Sequence, residues 1–165
     1  MAELQAHGIA VSLPAGWDGR IVVRGDGAPE PLRHAGGVPV AVATAHPVVH
    51  LASFGLPEER GDFGGGAVEL MGERDVFVVL FEYATGATRT ALFARRGLPR
   101  MVAIADFDPT RLRRGIIGQS GTQVFFQEEG RAFCLYVVLG SHAARRRLVP
   151  VVNAVLATVR IDPQR

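Results

Sequence analysis

Apolar and polar residues alternate through Ile9, Val11 and Leu13 before Pro14, the period-two pattern of a strand with one buried face. Trp17 follows in a Gly-bounded turn, and RIVVR at 20–24 reads as a second short strand. Residues 25–37 are charged and rich in Gly and Pro, which predicts a mobile loop. VPVAVATA (38–45) and VVHLASFGL (48–56) read as strands split at His46-Pro47, because Pro47 has no N–H to give to a ladder. Residues 57–66 form a loop and AVELMGE (67–73) a short helical turn. In DVFVVLFEYA (75–84), once past Asp75, only Glu82 interrupts the apolar run. Its β-branched content and length favour a central strand buried on both faces.

TRTALFA (88–94) and MVAIADF (101–107) are two further strand candidates. Asp108-Pro109 is a helix-start signal, with Asp as N-cap and Pro in the first turn, for a short helix running to about Gly115. In TQVFFQEEGRAFCLYVVLG, two β runs flank Glu128-Glu129-Gly130, a hairpin with Gly at the left-handed position. Its second arm, residues 131–139, is apolar on both faces and belongs near the sheet centre. In the last element, Leu148, Val151, Val152, Val155 and Val159 form a helical stripe. A helix starting near Arg147 leaves Pro150 in its first turn, where no intrahelical donor is lost, and Ser141 can cap a separate turn before it. About nine strands and one long C-terminal helix give an α+β chain with a mostly antiparallel sheet. At 165 residues, without repeat or linker, it reads as a single domain over 1–165.

Composition sharpens this mainly by exclusion. Apolar residues make up 48%, too many for wholesale disorder. All 18 positive side chains are Arg and none is Lys. P-loop, Schiff-base and protein-kinase chemistry each require a Lys, so none can be built here. Arg for Lys, with a single Asn (Asn153), fits a GC-rich bacterial coding bias; the functional alternative is bidentate recognition of carboxylate or phosphate. A net charge of +2 is not that of a dedicated nucleic-acid binder. One cysteine, Cys134 in an apolar run, excludes an internal disulfide and fits a small buried hydrophobe. The N-terminus lacks the pattern of a signal peptide, and apolar runs of about eight residues cannot span a bilayer, so the expected location is cytoplasmic.

The search for reactive groups yields little. Of His7, His34, His46, His50 and His142, only His46 and His50 are close in sequence; on a strand they share a face about 13 Å apart, too far for one metal. Gly-Gln-Ser120-Gly-Thr has Thr122 where a nucleophile elbow needs Gly, and it precedes a strand. The pairs Glu58/Glu59, Asp106/Asp108 and Glu128/Glu129 read as loop, turn and cap, and solvated hairpin tip. No catalytic, cofactor-binding or metal residue is assigned, and no cofactor is implied. GDFGGG (61–66) is a hinge on the plain reading. On the functional one, Gly64, Gly65 and Gly66 aim backbone N–H groups at an anion. Among the clusters Arg95/Arg96/Arg100, Arg111/Arg113/Arg114 and Arg145/Arg146/Arg147, only the last opposes a helix dipole. It is either a solvated face or a contact for a partner or anion.

The opening Leu13-Pro14-x-Gly16-Trp17 and the closing Asn153-x-Val155-Leu156-x-Thr158-Val159-Arg160-Ile161 resemble the PsbP-like superfamily, which includes the Ran-binding Mog protein. The resemblance covers most of the chain. It implies an α/β/α sandwich around an antiparallel sheet that binds protein partners without known catalysis. It carries over no functional residue, and the chain lacks the signal and Cys of the family's lipoproteins. The leading expectation is a non-enzymatic protein-binding or accessory module. The alternatives are a small-molecule or anion binder using residues 61–66 and a nearby Arg, and a structural subunit forming homo-oligomers.

Overall fold

The computed structural model describes residues 1–23 and 46–163. Eight strands and one α-helix are present among them. The strands β1 (Ala2–Ala6), β2 (Ile9–Leu13) and β8 (Arg160–Ile161) form a small antiparallel sheet in the order β1-β2-β8. The strands β3 (Asp18–Val23), β4 (Pro47–Ala52), β5 (Val76–Glu82), β6 (Ser120–Glu128) and β7 (Arg131–Leu139) form a five-stranded antiparallel sheet in the order β3-β4-β5-β7-β6. The helix α1 spans Arg145–Leu156. The fold is α+β, mostly β. No described helix is long and apolar enough to cross a membrane.

The continuous apolar runs become the central strands β5 and β7, buried at every position. Their alternate residues feed two cores. On one face Val78, Leu80, Leu135 and Val137 meet Ile9 and Val11 of β2 and Leu148, Val152 and Val155 of α1. On the other, Phe77, Phe81, Cys134 and Tyr136 meet loop and 3-10 residues, including Phe63, Val68 and Phe93. Where the resemblance implies a helix on each face, the described residues place α1 on one face, and loops and 3-10 turns cover the other. The Gly- and Pro-rich segment after β4 has no helical period. Its aromatic side chains reach down instead, with Phe63 stacked on Phe81 at 4.8 Å and Phe54 at 6.4 Å from Phe77.

Several expectations need correction. TRTALFA and MVAIADF are not strands; the first overlaps the 3-10 turn Thr85–Arg89 and contains Ala91–Phe93, and the second contains Ile104–Asp106. Asn153 explains the second case. Its side-chain amide accepts from Val102 N at 2.8 Å and donates to Val102 O at 3.1 Å, so that backbone pairs with a helix side chain rather than with a strand. The helix expected after Asp108 is a single 3-10 turn, Pro109–Arg111, capped by Asp108 through Thr110. The start of α1 is Arg145, so Pro150 lies two residues deeper than expected, past the first turn. The helix stops at Leu156, and Val159 packs in the core beyond it. Val151 is 38% exposed, because the buried stripe is completed by Val149 and Leu156 on its other side. Residues 25–37 and the strand expected at 38–45 lie outside the described residues.

Sequence reading misses β1. The two-residue turn His7-Gly8 has both residues at positive φ, the type I′ geometry that suits a twisted hairpin. Glu129-Gly130 closes β6 and β7 in the same way, which makes Glu128 the last strand residue, paired with Arg131. The β1–β2 turn is held from below by Arg131, which is 2% exposed. Its Nε and Nη2 donate to Glu82 Oε1 and Oε2 at 2.9 and 2.7 Å. Nη1 donates to Gly8 O and Asp162 O, and Nη2 to His7 O. A Cβ on Gly8 would come within 2.9 Å of that guanidinium. Breaking a buried pair by removing one partner leaves an uncompensated charge. Glu82→Ala should therefore cost about 3–5 kcal/mol in urea denaturation. The double variant Glu82→Leu/Arg131→Met should cost less than the sum of its single changes, and strict additivity would deny the coupling.

Candidate functional site

His50 and Glu82 are buried and hydrogen-bonded within the fold and Cys134 is buried, whereas Ser120 Oγ and His142 Nδ1 are buried without a hydrogen-bond partner among the described residues. His50 of β4 is 2% exposed and lies against Phe77. Its Nδ1 accepts from Arg60 Nε at 2.8 Å. That fixes the tautomer, so Nε2–H donates to Asp62 O at 2.7 Å. Arg60 also donates to Pro57 O. Burial, with a smaller contribution from the Arg60 charge and against the hydrogen bond to Asp62, lowers the His50 pKa from 6.5 to about 4. His46 stands outside the strand, with Nδ1 3.6 Å from Glu82 Oε1. The two histidines therefore do not share a strand face. Burial pushes the Cys134 thiol up to about 12, and at neutral pH it is no nucleophile. Glu128 is not a solvated tip residue, since its carboxylate accepts from Leu98 N.

The Gly-rich loop turns where only glycine fits. Gly64 has φ +89°, and a Cβ there would come within 2.3 Å of Phe77. Gly65 lies under the Arg114 guanidinium, so the structure does bring an Arg to this loop. The position of an external anion is taken, however. Glu69 Oε2 accepts from Gly66 N at 2.7 Å, and its Oε1 accepts from Arg114 Nη1 at 2.6 Å. Burial alone would raise the Glu69 pKa. Hydrogen bonds from its own backbone N–H and that of Gly66, together with Arg114, lower it instead. Other amides of the loop close on loop carbonyls, with Gly64 N to Gly61 O and Ala67 N to Gly64 O.

Most arginines of the predicted clusters also have internal work. Arg100 donates to Val159 O at 2.7 Å and reaches Ala157 O, beyond the end of α1. Arg111 donates to Asp106 O. Arg113 stacks 3.6 Å from the Phe63 ring centre, and its backbone N–H donates to Tyr136 Oη. The remaining cluster differs. Ser141 Oγ accepts from Ala144 N, capping the preceding turn as expected, but α1 itself has no side-chain cap and no acidic residue in its first turn. Arg145 donates to His142 O. Arg146 and Arg147 are exposed, and among the described residues they meet no carboxylate within ion-pair distance. Arg147, Leu148 and Val151 line an open groove with Arg74, from the turn before β5. Sequence reading missed Arg74 and assigned Val151 to the core. Nothing local marks Arg74, because the fold alone carries it to α1.

Compared with family models, curated proteins and solved structures, the chain matches none.

The unfolded chain protonates His50 as pH falls through about 6.5, whereas the folded state resists until about 4. The stability from this site is complete above the first value, declines between the two and is gone below the second. It amounts to roughly 3 kcal/mol. Denaturation curves across that window should be flatter for His50→Gln than for the parent; equal slopes would deny the assignment. Arg146 and Arg147 also face the positive end of the helix dipole. Arg146→Glu and Arg147→Glu should each stabilise the fold by about 0.3–1 kcal/mol at low salt, measured by urea denaturation.

Proposed function

We propose that the protein is a non-enzymatic protein-binding module with an accessory role in the cytoplasm, of the PsbP-like kind its sequence resembles. It docks its partner at the start of α1. The observation that carries this reading is the contrast between two sets of side chains. His50, Cys134, Glu82 and Arg131 are buried. Arg146 and Arg147 stay exposed at a helix end where they oppose the dipole, beside an exposed aliphatic residue, Val151. An arrangement that is unfavourable in the free chain is satisfied when carboxylates of a partner arrive. Small-anion binding at residues 61–66 is less favoured, because Glu69 already supplies a carboxylate there.

Site-specific photocrosslinking in the producing host tests the reading. A photoreactive residue at Val151 should give a discrete adduct with another protein, and the same residue at Thr88 should not. The adduct should disappear in Arg146→Glu/Arg147→Glu. Adducts only between copies of the chain would favour the structural-subunit alternative. No adduct at Val151 would end the docking proposal.

A further inference from the structure

We infer that the groove between α1 and the turn before β5 takes an acidic protein segment that also carries aliphatic side chains. This rests on the binding-module reading and adds the chemistry of the partner. Its two walls come from distant parts of the chain, Arg74 on one side and Arg147 with Leu148 and Val151 on the other. Arg147 and Val151 are one helical turn apart, so charge and exposed methyl groups share a face.

Charge complementarity selects the occupant. Four arginines elsewhere are paired with the chain's own acids, Arg20 with Asp18, Arg114 with Glu69, Arg131 with Glu82 and Arg160 with Glu3, and Arg60, Arg100, Arg111 and Arg145 donate to main-chain oxygens. Arg96 shares its hollow with Glu128 and Glu129. At the groove, Glu73 and Asp75 flank Arg74 in sequence. Asp75 is committed to Ser53 Oγ and Gly72 N. Among the described residues, Arg74, Arg146 and Arg147 have no ion-pair partner. The groove therefore offers guanidinium groups on both sides of an aliphatic strip. A free phosphate would leave that strip uncovered. A nucleic acid would find no aromatic ring among these four groove residues to stack a base. A peptide presenting carboxylates around a Leu or Ile satisfies charge and strip together.

The probe is a labelled peptide repeating Glu-Leu-Glu-Glu-Leu-Glu, followed by fluorescence anisotropy with the full chain. The comparison probes are the same peptide with Gly for Leu, a single-stranded oligodeoxynucleotide of equal charge, and vesicles of phosphatidylcholine with phosphatidylserine. The Glu/Leu peptide should bind best. Its Kd should rise about tenfold in Arg74→Glu, in Arg146→Glu/Arg147→Glu and in Val151→Asp, and stay unchanged in the distant Arg89→Glu. Arg74 lies on a different element from the helix pair, so a folding defect in one variant leaves the other informative. Circular dichroism identifies any such defect. Binding that is indifferent to these substitutions overturns the inference, as does tighter binding of oligonucleotide or vesicles through the same residues. If the Val151 crosslink forms in the host and the peptide does not bind, the acidic-partner inference falls and the binding-module reading stands. If the crosslink also fails, both fall.

Discussion

Removing a guanidinium and a carboxylate from water together is unfavourable unless the remaining donors find acceptors as well. Arg131 meets that condition. Its Nε, Nη1 and Nη2 make five hydrogen bonds, two to the Glu82 carboxylate and three to the main-chain oxygens of His7, Gly8 and Asp162. One side chain thus joins the centre of the large sheet to the β1–β2 turn and to the chain leaving β8. With that end pinned, β2 lies over the large sheet, and Ile9 and Val11 join α1 in covering one face. The position of the small sheet follows from a single polar contact at its end and apolar packing along its length.

The same device recurs where the chain has no regular structure. Asn153 holds Val102 by both backbone groups, Gln127 Nε2 donates to Thr88 O and Phe93 O, and Gln119 Nε2 donates to Val68 O. Polar side chains rooted in α1, in β6 and just before it reach out and fix loop backbone that would otherwise be buried without partners. This is how one face of the sheet is covered by loops and 3-10 turns instead of a second helix.

The parts of the fold most legible in sequence are those decided by burial on a repeating pattern. Residues 75–84 and 131–139 read as central strands because nearly every side chain is apolar, and the hairpin between β6 and β7 is announced by Gly130. Long-range polar partnerships escape such reading. Glu82 inside a doubly buried strand does demand a cation, but nothing nearby says that Arg131 supplies it. β1 escapes because its charged and half-exposed residues give no strong alternation, and because His7-Gly8 is a less familiar I′ turn than Asn-Gly. At the candidate site, Arg145–Arg147 stand out through their clash with the helix dipole. Arg74 and Val151 become visible only after folding has set the turn before β5 against α1.

The pairing of β2 with β8 matches Ile9 to Ile161 and Ala10 to Arg160, almost from one end of the chain to the other. Contacts so distant in sequence form only after a large loss of chain entropy, which slows the search for the native arrangement. During synthesis the β1–β2 hairpin emerges before β4 to β7 and α1, and its partner strand β8 emerges after them. Its apolar residues Ile9 and Val11 must therefore wait while β4 to β7 assemble and α1 settles. The small sheet is thus a late clasp, and the interval before it closes is when a nascent chain of this protein is most exposed to self-association.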